Sequence, residues 1–317
     1  MSLALLFSPQ GSQAVGMGRE LADASDAARN AYRDADAALG WSVSTTCWEG
    51  PAERLNDTRQ TQPCLLATSL ACLRALEEAG GPLRPAFVAG HSVGEYAALV
   101  AAGVLHFADA LRLVAQRAAL MAAQGETGGM AAVLGLESEA VEAVVAQIAR
   151  PTQLVVANHN APEQVVISGE RDAIVRAEEA LREAGARRIV PLPVSGAFHS
   201  PRMGPVAEEL SQAFEAVTWR DAVTPVVSNV TAEPVTDATI IRNLLAEQVR
   251  SPVEWVASVL RMTTDGVDTF VECGPGAALS GMIKRIAPQA RTLNVADGAS
   301  LDATLRALHA VPAEASV

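Results

Sequence analysis

No stretch of this 317-residue sequence approaches the roughly 20 consecutive apolar residues of a membrane-crossing helix, although half of its residues are hydrophobic. A chain without a membrane span is expected. The N-terminal MSLALLFSPQG carries no basic leader, and its apolar run is strand-sized rather than signal-sized, so no export is expected and the cytoplasm is the default location. Only four cysteines occur, Cys47, Cys64, Cys72 and Cys273. They show neither C-x-x-C spacing nor a companion histidine motif, which argues against a zinc site or a disulfide framework and leaves buried thiols. Positive charge is also scarce: 24 Lys and Arg against 36 Asp and Glu give a formal net charge of −12. With no basic run to offset it, nucleic acid is not an expected partner. A cationic patch around Arg187, Arg188, Arg202, Lys284 and Arg285 is the most the sequence offers, and solvated surface charge is the simpler account of those residues. Repeats and low-complexity segments are absent, and the tail VPAEASV reads as frayed.

What is present alternates. LALLF (3–7), AFVAG (86–90), TPVVSNV (224–230) and TFVEC (269–273) are short, apolar and bounded by turn residues, as buried strands are. Between them, 64–79, 95–102, 108–123 and 254–264 have helical length and periodicity. Such alternation predicts an α/β fold with a largely parallel sheet covered on both faces. The middle differs. Strand-like 130–136, 153–159, 163–169 and 186–192 combine with helix-like 137–149 and 170–184 in the order β-α-β-β-α-β, a ferredoxin-like unit. It predicts an inserted small subdomain at 127–193, entered through QGETGG and left through PLPVSG, with a large domain in two parts, 1–126 and 194–317. A cleft between the two is a usual place for a ligand.

The chemistry concentrates in VAGHSVGEYAALVAAG (88–103), where Gly90, Ser92 and Gly94 form a G-x-S-x-G pattern. A strand-like run precedes it and a helix-like run follows, the setting in which a sharp turn presents a serine nucleophile. The glycines permit that turn, and the Val93 amide at the helix start can point toward an oxyanion. A serine that merely caps the helix is the plainer alternative. A nucleophilic serine needs a base, and the histidines are His91, His106, His159, His199 and His309. His91 would diverge from Ser92 on a turn and His106 follows the helix terminator Gly103, so both read as structural. His199, in the loop PVSGAFHSPRM, is the preferred base. Its rival is His309, which with Asp268 would complete the hydrolase order Ser, Asp, His.

Arg117 has Leu113, Val114, Leu120 and Met121 three and four positions away, so its guanidinium rises from an apolar helix face. A buried guanidinium requires a partner. A carboxylate of the protein and a substrate carboxylate held by the planar fork both fit. Arg112, beside Asp109 and Gln116, reads as a surface charge. SPQGSQAVGMG follows the first strand directly, at the edge where open α/β sheets bind ligands. An amide near Gln10 could complete an oxyanion hole with Val93, and a plain glycine-rich turn fits equally well. ECGPGAALSGM reads as a strand-to-helix turn.

Taken in order, FSPQGSQAVGMG, TQPCLLATSLA, AGHSVGEYAAL, RLVAQRAALM, GGMAAVLGL, NHNAPEQVVISG, PVSGAFHSPRM, SNVTA, QVRSPVEW and ECGPGAALSGM resemble the malonyl-CoA:acyl carrier protein transacylases and related polyketide acyltransferase domains. The resemblance covers nearly the whole chain. It implies an α/β-hydrolase-like large domain with a ferredoxin-like insertion and ping-pong malonyl transfer through a serine ester. It implies Ser92 as nucleophile, His199 as base and Gln248 as the residue whose backbone carbonyl orients the histidine in place of a triad acid. Gln10 and Val93 match the oxyanion-hole amides. Arg117 matches the arginine that pairs with the malonyl carboxylate, with Met121 and Phe198 as further substrate-binding residues. GHSVGE and AFH look like the malonyl-selecting versions rather than the YASH of methylmalonyl-using relatives. The implied partners are malonyl-CoA and an acyl carrier protein, with no cofactor or metal and a monomeric enzyme in the cytoplasm. The family loop usually reads Pro-Gly-Gln-Gly, whereas here it is Ser8-Pro9-Gln10-Gly11, and Pro9 fixes its own φ while biasing Ser8 toward extended conformations. An imidazole near its ordinary pKa of about 6.5 is the expectation for His199. A serine hydrolase using Ser92 with His199, or with Asp268 and His309, is the alternative enzyme; a noncatalytic carrier-docking scaffold is the alternative outside enzymes.

Overall fold

The computed structural model describes residues 2–124, 128–194 and 196–309. Among them the strands are, in chain order, β1 (Leu3–Phe7), β2 (Phe87–Gly90), β3 (Gly128–Leu134), β4 (Leu154–Ala161), β5 (Gln164–Glu170), β6 (Arg188–Pro191), β7 (Val226–Val227), β8 (Pro234–Val235), β9 (Thr269–Cys273) and β10 (Arg291–Val295). The larger sheet has the order β10-β9-β1-β2-β7-β8 and is parallel except for β8, which pairs antiparallel with β7 at the edge. β1 and β9 are buried along their whole length, as continuous apolar runs in a covered parallel sheet require. Phe7 pairs with Gly90 on one side and Cys273 on the other, so β1, β2 and β9 end level. Their following loops therefore share one edge, and the candidate site is built there.

β7 is only two residues long because Ser228 and Asn229 leave the ladder instead of extending it through 230. The central helix Thr58–Gly80 begins six residues before the expected start at 64. Pro63, which ordinarily marks a boundary, lies inside it, and the Asp57 side chain caps the true start by accepting from the Arg59 amide. Helices Arg19–Ala24, Asp26–Leu39, Val43–Glu49, Ala52–Asn56, Gly204–Glu215 and Ala238–Gln248, with strands β8 and β10, were not assigned from the sequence. No described helix is long and apolar enough to cross a membrane.

The smaller sheet is antiparallel, order β4-β5-β3-β6, with helices Ser138–Ile148 and Arg171–Glu183 at the two expected places in the chain, which is the ferredoxin-like arrangement. Val133, Val141, Leu154, Ile167 and Leu181 belong to a core of its own. The expected boundary at 127 and the tail VPAEASV lie outside the described residues. Val253 donates to the Ala157 carbonyl and His159 donates to the Val253 carbonyl, which stitches β4 to the large part. At the other end, a Cβ on Gly128 would lie 2.6 Å from the Ala197 amide. The two cleft walls are thus fixed by backbone contacts. Of the supposed cationic patch, Arg202 stands apart from Arg187 and Arg285. Arg187 pairs with Glu163 and Arg285 bonds Gln164 and the Pro162 carbonyl, whereas Arg202 pairs with Glu170. Those anchors sit at opposite ends of β5, about 20 Å apart at roughly 3.3 Å per residue.

Both glycines of the G-x-S-x-G turn are sterically required. A Cβ on Gly90 would lie 2.0 Å from the Gly94 backbone, and one on Gly94 would lie 2.2 Å from the Phe7 carbonyl oxygen. Because those obstacles are backbone, Gly94→Ala is expected to cost at least the ~1–3 kcal/mol typical of overpacking. A urea-unfolding midpoint equal to that of the parent would contradict this.

Candidate active site

Ser92 sits between β2 and the helix Gly94–Ala101 with φ 53, in the left-handed region that a non-glycine residue rarely occupies. Its peptide groups are clamped from two sides. The Ser92 amide donates to Asn229 Oδ1 at 2.7 Å, Asn229 Nδ2 donates to the Gly90 carbonyl at 2.7 Å, and Gln248 Nε2 donates to the Ser92 carbonyl at 3.0 Å. Asn229 was missed from the sequence. Its one signal was an asparagine directly after a short apolar strand, at the sheet edge where ligands bind.

His199 also has a positive φ, 55, and its Nε2 lies 2.7 Å from Ser92 Oγ. Its Nδ1 faces the carbonyls of Gln248 at 2.9 Å and Ser251 at 3.2 Å. Carbonyls only accept, so Nδ1 carries the proton and Nε2 presents its lone pair to the serine hydroxyl. The expectation of an ordinary imidazole is corrected here: burial, reinforced by the Arg117 charge, pushes the His199 pKa down to about 3. The other histidines stand apart from Ser92 Oγ. His91 Nε2 pairs with Asn160 Oδ1 at 2.8 Å, His159 Nδ1 pairs with Ser138 Oγ at 2.7 Å, and His106 and His309 are exposed. Asp268 precedes β9 at the amino end of the sheet, where the Ser2 amide donates to it, while Ser92 follows the carboxyl end of β2. The Ser, Asp, His order is therefore not assembled.

Arg117, on the helix Phe107–Ala123, is 1 % exposed. Its NH1 donates to Gln62 Oε1 at 2.6 Å, and its NH2 donates to Gln248 Oε1 and to Ser92 Oγ, each at 3.0 Å. The guanidinium carbon lies 5.8 Å from the Tyr96 ring centroid. Among the described residues no carboxylate comes within ion-pair distance, so of the two partners open from the sequence the protein supplies neither a salt bridge nor an exposed escape for the charge. Arg112 is exposed and pairs with Asp109, as expected. Gln62 was missed: TQPCLLATSLA contributed to the resemblance as a stretch, and nothing local marked its glutamine as a partner of Arg117. Glu95, on the turn after Ser92, is buried and accepts from Gln248 Nε2 at 2.7 Å and the Asn229 amide at 3.3 Å; burial raises its pKa to about 7 against the pull of those donors and Arg117.

The amides of Gln10 and Val93 have no protein acceptor among the described residues, which suits donors reserved for an oxyanion. Ser8, ahead of Pro9, is buried and donates from Oγ to Glu272 Oε1 at 3.1 Å. Glu272 also accepts from the Leu279 and Ser280 amides at 3.1 and 2.8 Å, so ECGPGAALSGM is a strand-to-helix turn whose carboxylate caps the helix and anchors the loop bearing Gln10. A cavity of about 390 Å³ opens above these groups. Gln10, Ser92, Met121, Phe198 and His199 line one side, and Met130 and Leu192 of the small subdomain line the other. No cluster of His, Cys, Asp or Glu among the described residues is arranged to hold a metal ion.

The family described as acyl transferase domain matches residues 4–303. The chain belongs to the acyl transferase family. The malonyl CoA-acyl carrier protein transacylase of Bacillus subtilis (strain 168) is 42% identical over 309 residues, 96% of this chain and 97% of the relative. That of Escherichia coli (strain K12) is 42% identical over 285 residues, 89% and 92% of the two chains. A solved type II PKS acyl-carrier protein in complex with its malonyl-transacylase matches with TM-score 0.93 at 39% identity, covering 97% of this chain and 100% of that one.

In an acyl transferase, a serine hydroxyl facing a lone-pair nitrogen, two unused amides and a buried cation can form and release an acyl ester. All depend on the Ser92 turn being held. Asn229→Ala leaves both the Ser92 amide and the Gly90 carbonyl without their partner, at about 1–3 kcal/mol for each buried group. A lowered denaturation midpoint is expected, with slower Ser92 acylation.

Proposed function

We propose that the chain transfers a malonyl group from malonyl-CoA to the phosphopantetheine thiol of an acyl carrier protein, through a malonyl ester on Ser92. The observation that carries this reading is Arg117: a buried cation, held by the neutral side chains of Gln62 and Gln248, 3.0 Å from Ser92 Oγ. A desolvated guanidinium is costly without an anion, and a dicarboxylic acyl group reaching the serine brings one. An esterase on the same Ser–His pair would have no use for that charge.

Malonyl-CoA enters the cleft and its carboxylate pairs with Arg117, with Met121 and Phe198 against the acyl chain. Ser92 Oγ attacks the thioester carbonyl while His199 Nε2 takes its proton. The Val93 and Gln10 amides hold the oxyanion. CoA leaves as the thiol, protonated by His199. The carrier thiol then attacks the ester, His199 accepts its proton and returns it to Ser92. Neither half-reaction requires a metal or a cofactor. Because Arg117 is one of the two main causes of the low His199 pKa, neutralising it with the substrate carboxylate raises the proton affinity of the base as the correct substrate binds. The reading includes the domain division 1–126 with 194–317 and 127–193, and a monomer in the cytoplasm.

Intact mass after brief incubation with malonyl-CoA, acetyl-CoA or methylmalonyl-CoA tests the reading. A malonyl adduct is expected on the parent and on His309→Ala, none on Ser92→Ala, at least a hundredfold slower formation with His199→Ala, and a shift from malonyl toward acetyl with Arg117→Ala. Rapid CoA release without an adduct, abolished by His309→Ala, would sink it. In the free protein, the His199 ring resonances should not titrate between pH 8 and pH 5 by NMR, since the depressed pKa keeps the imidazole neutral over that whole range; a midpoint near 6.5 would refute the assignment.

A further inference from the structure

Ser92 holds a left-handed backbone conformation, and the two residues whose side chains restrain it both donate to one carboxylate, Asn229 through its backbone amide and Gln248 through Nε2. Asn229 Oδ1 takes the Ser92 amide and Gln248 Nε2 donates to the Ser92 carbonyl. Glu95 Oε2 in turn accepts from the Asn229 amide at 3.3 Å and from that same Gln248 Nε2 at 2.7 Å. Gln248 also presents Oε1 to Arg117 NH2, the group that reaches Ser92 Oγ. The serine turn and the guanidinium therefore share a single anchor, three residues along the helix from the nucleophile. Neither half-reaction above uses Glu95.

We infer that Glu95 is a positioning residue for the reaction: its carboxylate holds the Gln248 side chain and the Asn229 backbone amide, the two residues that clamp Ser92, and places a negative charge near Arg117 without contacting it. The inference rests on the proposed reading of Arg117 as the acyl-carboxylate receptor. Three physical points support it. First, a fully buried carboxylate is tolerated only with donors and a nearby cation, and Glu95 has two donors and Arg117; its pKa stays near 7 despite complete burial because Gln248, Asn229 and Arg117 oppose the desolvation. Second, a carboxylate oxygen only accepts, so it holds Nε2 of Gln248 toward itself and keeps Oε1 facing Arg117. Third, Ser92 pays a conformational penalty in its left-handed state that neighbouring contacts must over-determine, and the Asn229 and Gln248 contacts are the ones that do so. The Glu95 carboxylate has no hydrogen bond to Ser92 Oγ or His199 and does not line the cavity, so its effect passes through Gln248 and Asn229.

Glu95→Gln keeps the volume and an acceptor but removes the charge, and Glu95→Ala removes both. At pH 8, two rates are read on each folded variant: labelling of Ser92 by a fluorophosphonate probe, which needs the serine and its base but no carboxylate receptor, and the ratio of malonyl to acetyl adduct formation. With Glu95→Gln, labelling is expected to slow at least fivefold and the ratio to fall at least tenfold; Glu95→Ala should be worse in both. Thermal melting identifies a variant that has failed to fold, and if Glu95→Ala does so, Glu95→Gln decides alone. Either rate within twofold of the parent in folded Glu95→Gln overturns the inference. A parent protein without malonyl preference would instead defeat the proposed function, and the labelling rate would still decide for or against Glu95.

Discussion

A positive charge is buried where no negative charge touches it, and the rest of the site follows from that. The Arg117 guanidinium is surrounded by the Tyr96 ring, the Gln62 and Gln248 amides and the Ser92 hydroxyl. Amide and hydroxyl oxygens accept from its two terminal nitrogens without neutralising it, while Nε has no hydrogen-bond partner among the described residues, so the charge acts strongly in a low-dielectric interior. It lowers the proton affinity of the imidazole that Ser92 faces and pulls on the Glu95 carboxyl below the same turn. In the proposed reaction, Arg117 links the choice of acyl group to the strength of the base through one cation.

The fold supplies what a short cluster of side chains could not hold alone. Strands β1, β2 and β9 end level, so the Gln10 loop, the Ser92 turn and the Glu272 turn come out along one edge. Glu272 ties Ser8 and the start of the helix Ala278–Ile286 to one buried carboxylate. That tie gives the loop a firm base although Pro9 stands where the family usually has glycine. The small subdomain closes the opposite wall, and the backbone pairing between Val253 and the Ala157–His159 segment of β4 keeps it at a set distance.

The base is oriented without an acid. Two carbonyls, of Gln248 and Ser251, hold the His199 Nδ1 proton. A carboxylate in that place would stabilise the imidazolium and raise the resting pKa; carbonyls fix the tautomer and leave the ring neutral when empty. Gln248 meets four partners at once, since its carbonyl steers His199 while its side chain joins Ser92, Arg117 and Glu95.

Local pattern was enough for part of this. The strands of the larger sheet at 3–7, 86–90 and 269–273, the inserted β-α-β-β-α-β unit and the Gly90–Ser92–Gly94 turn are written in short runs of residues whose period and glycine spacing act within a few positions, and the apolar neighbours of Arg117 lie within one helical turn. The first turns of the helix Thr58–Gly80, the two-residue length of β7 and the early helices between 19 and 56 escaped because tertiary packing and capping outweighed the local signal. Asn229, Gln62 and the part of Glu95 were out of reach for a different reason: the Ser92–Asn229 bond joins positions 137 apart and the Arg117–Gln62 bond positions 55 apart. His199 stood in a readable loop, yet its depressed pKa exists only once burial and Arg117 surround it. Residue types and their short-range spacing determined which groups were present; only long-range folding decided which of them meet, because polar partners and desolvation are properties of the enclosed space and not of the chain.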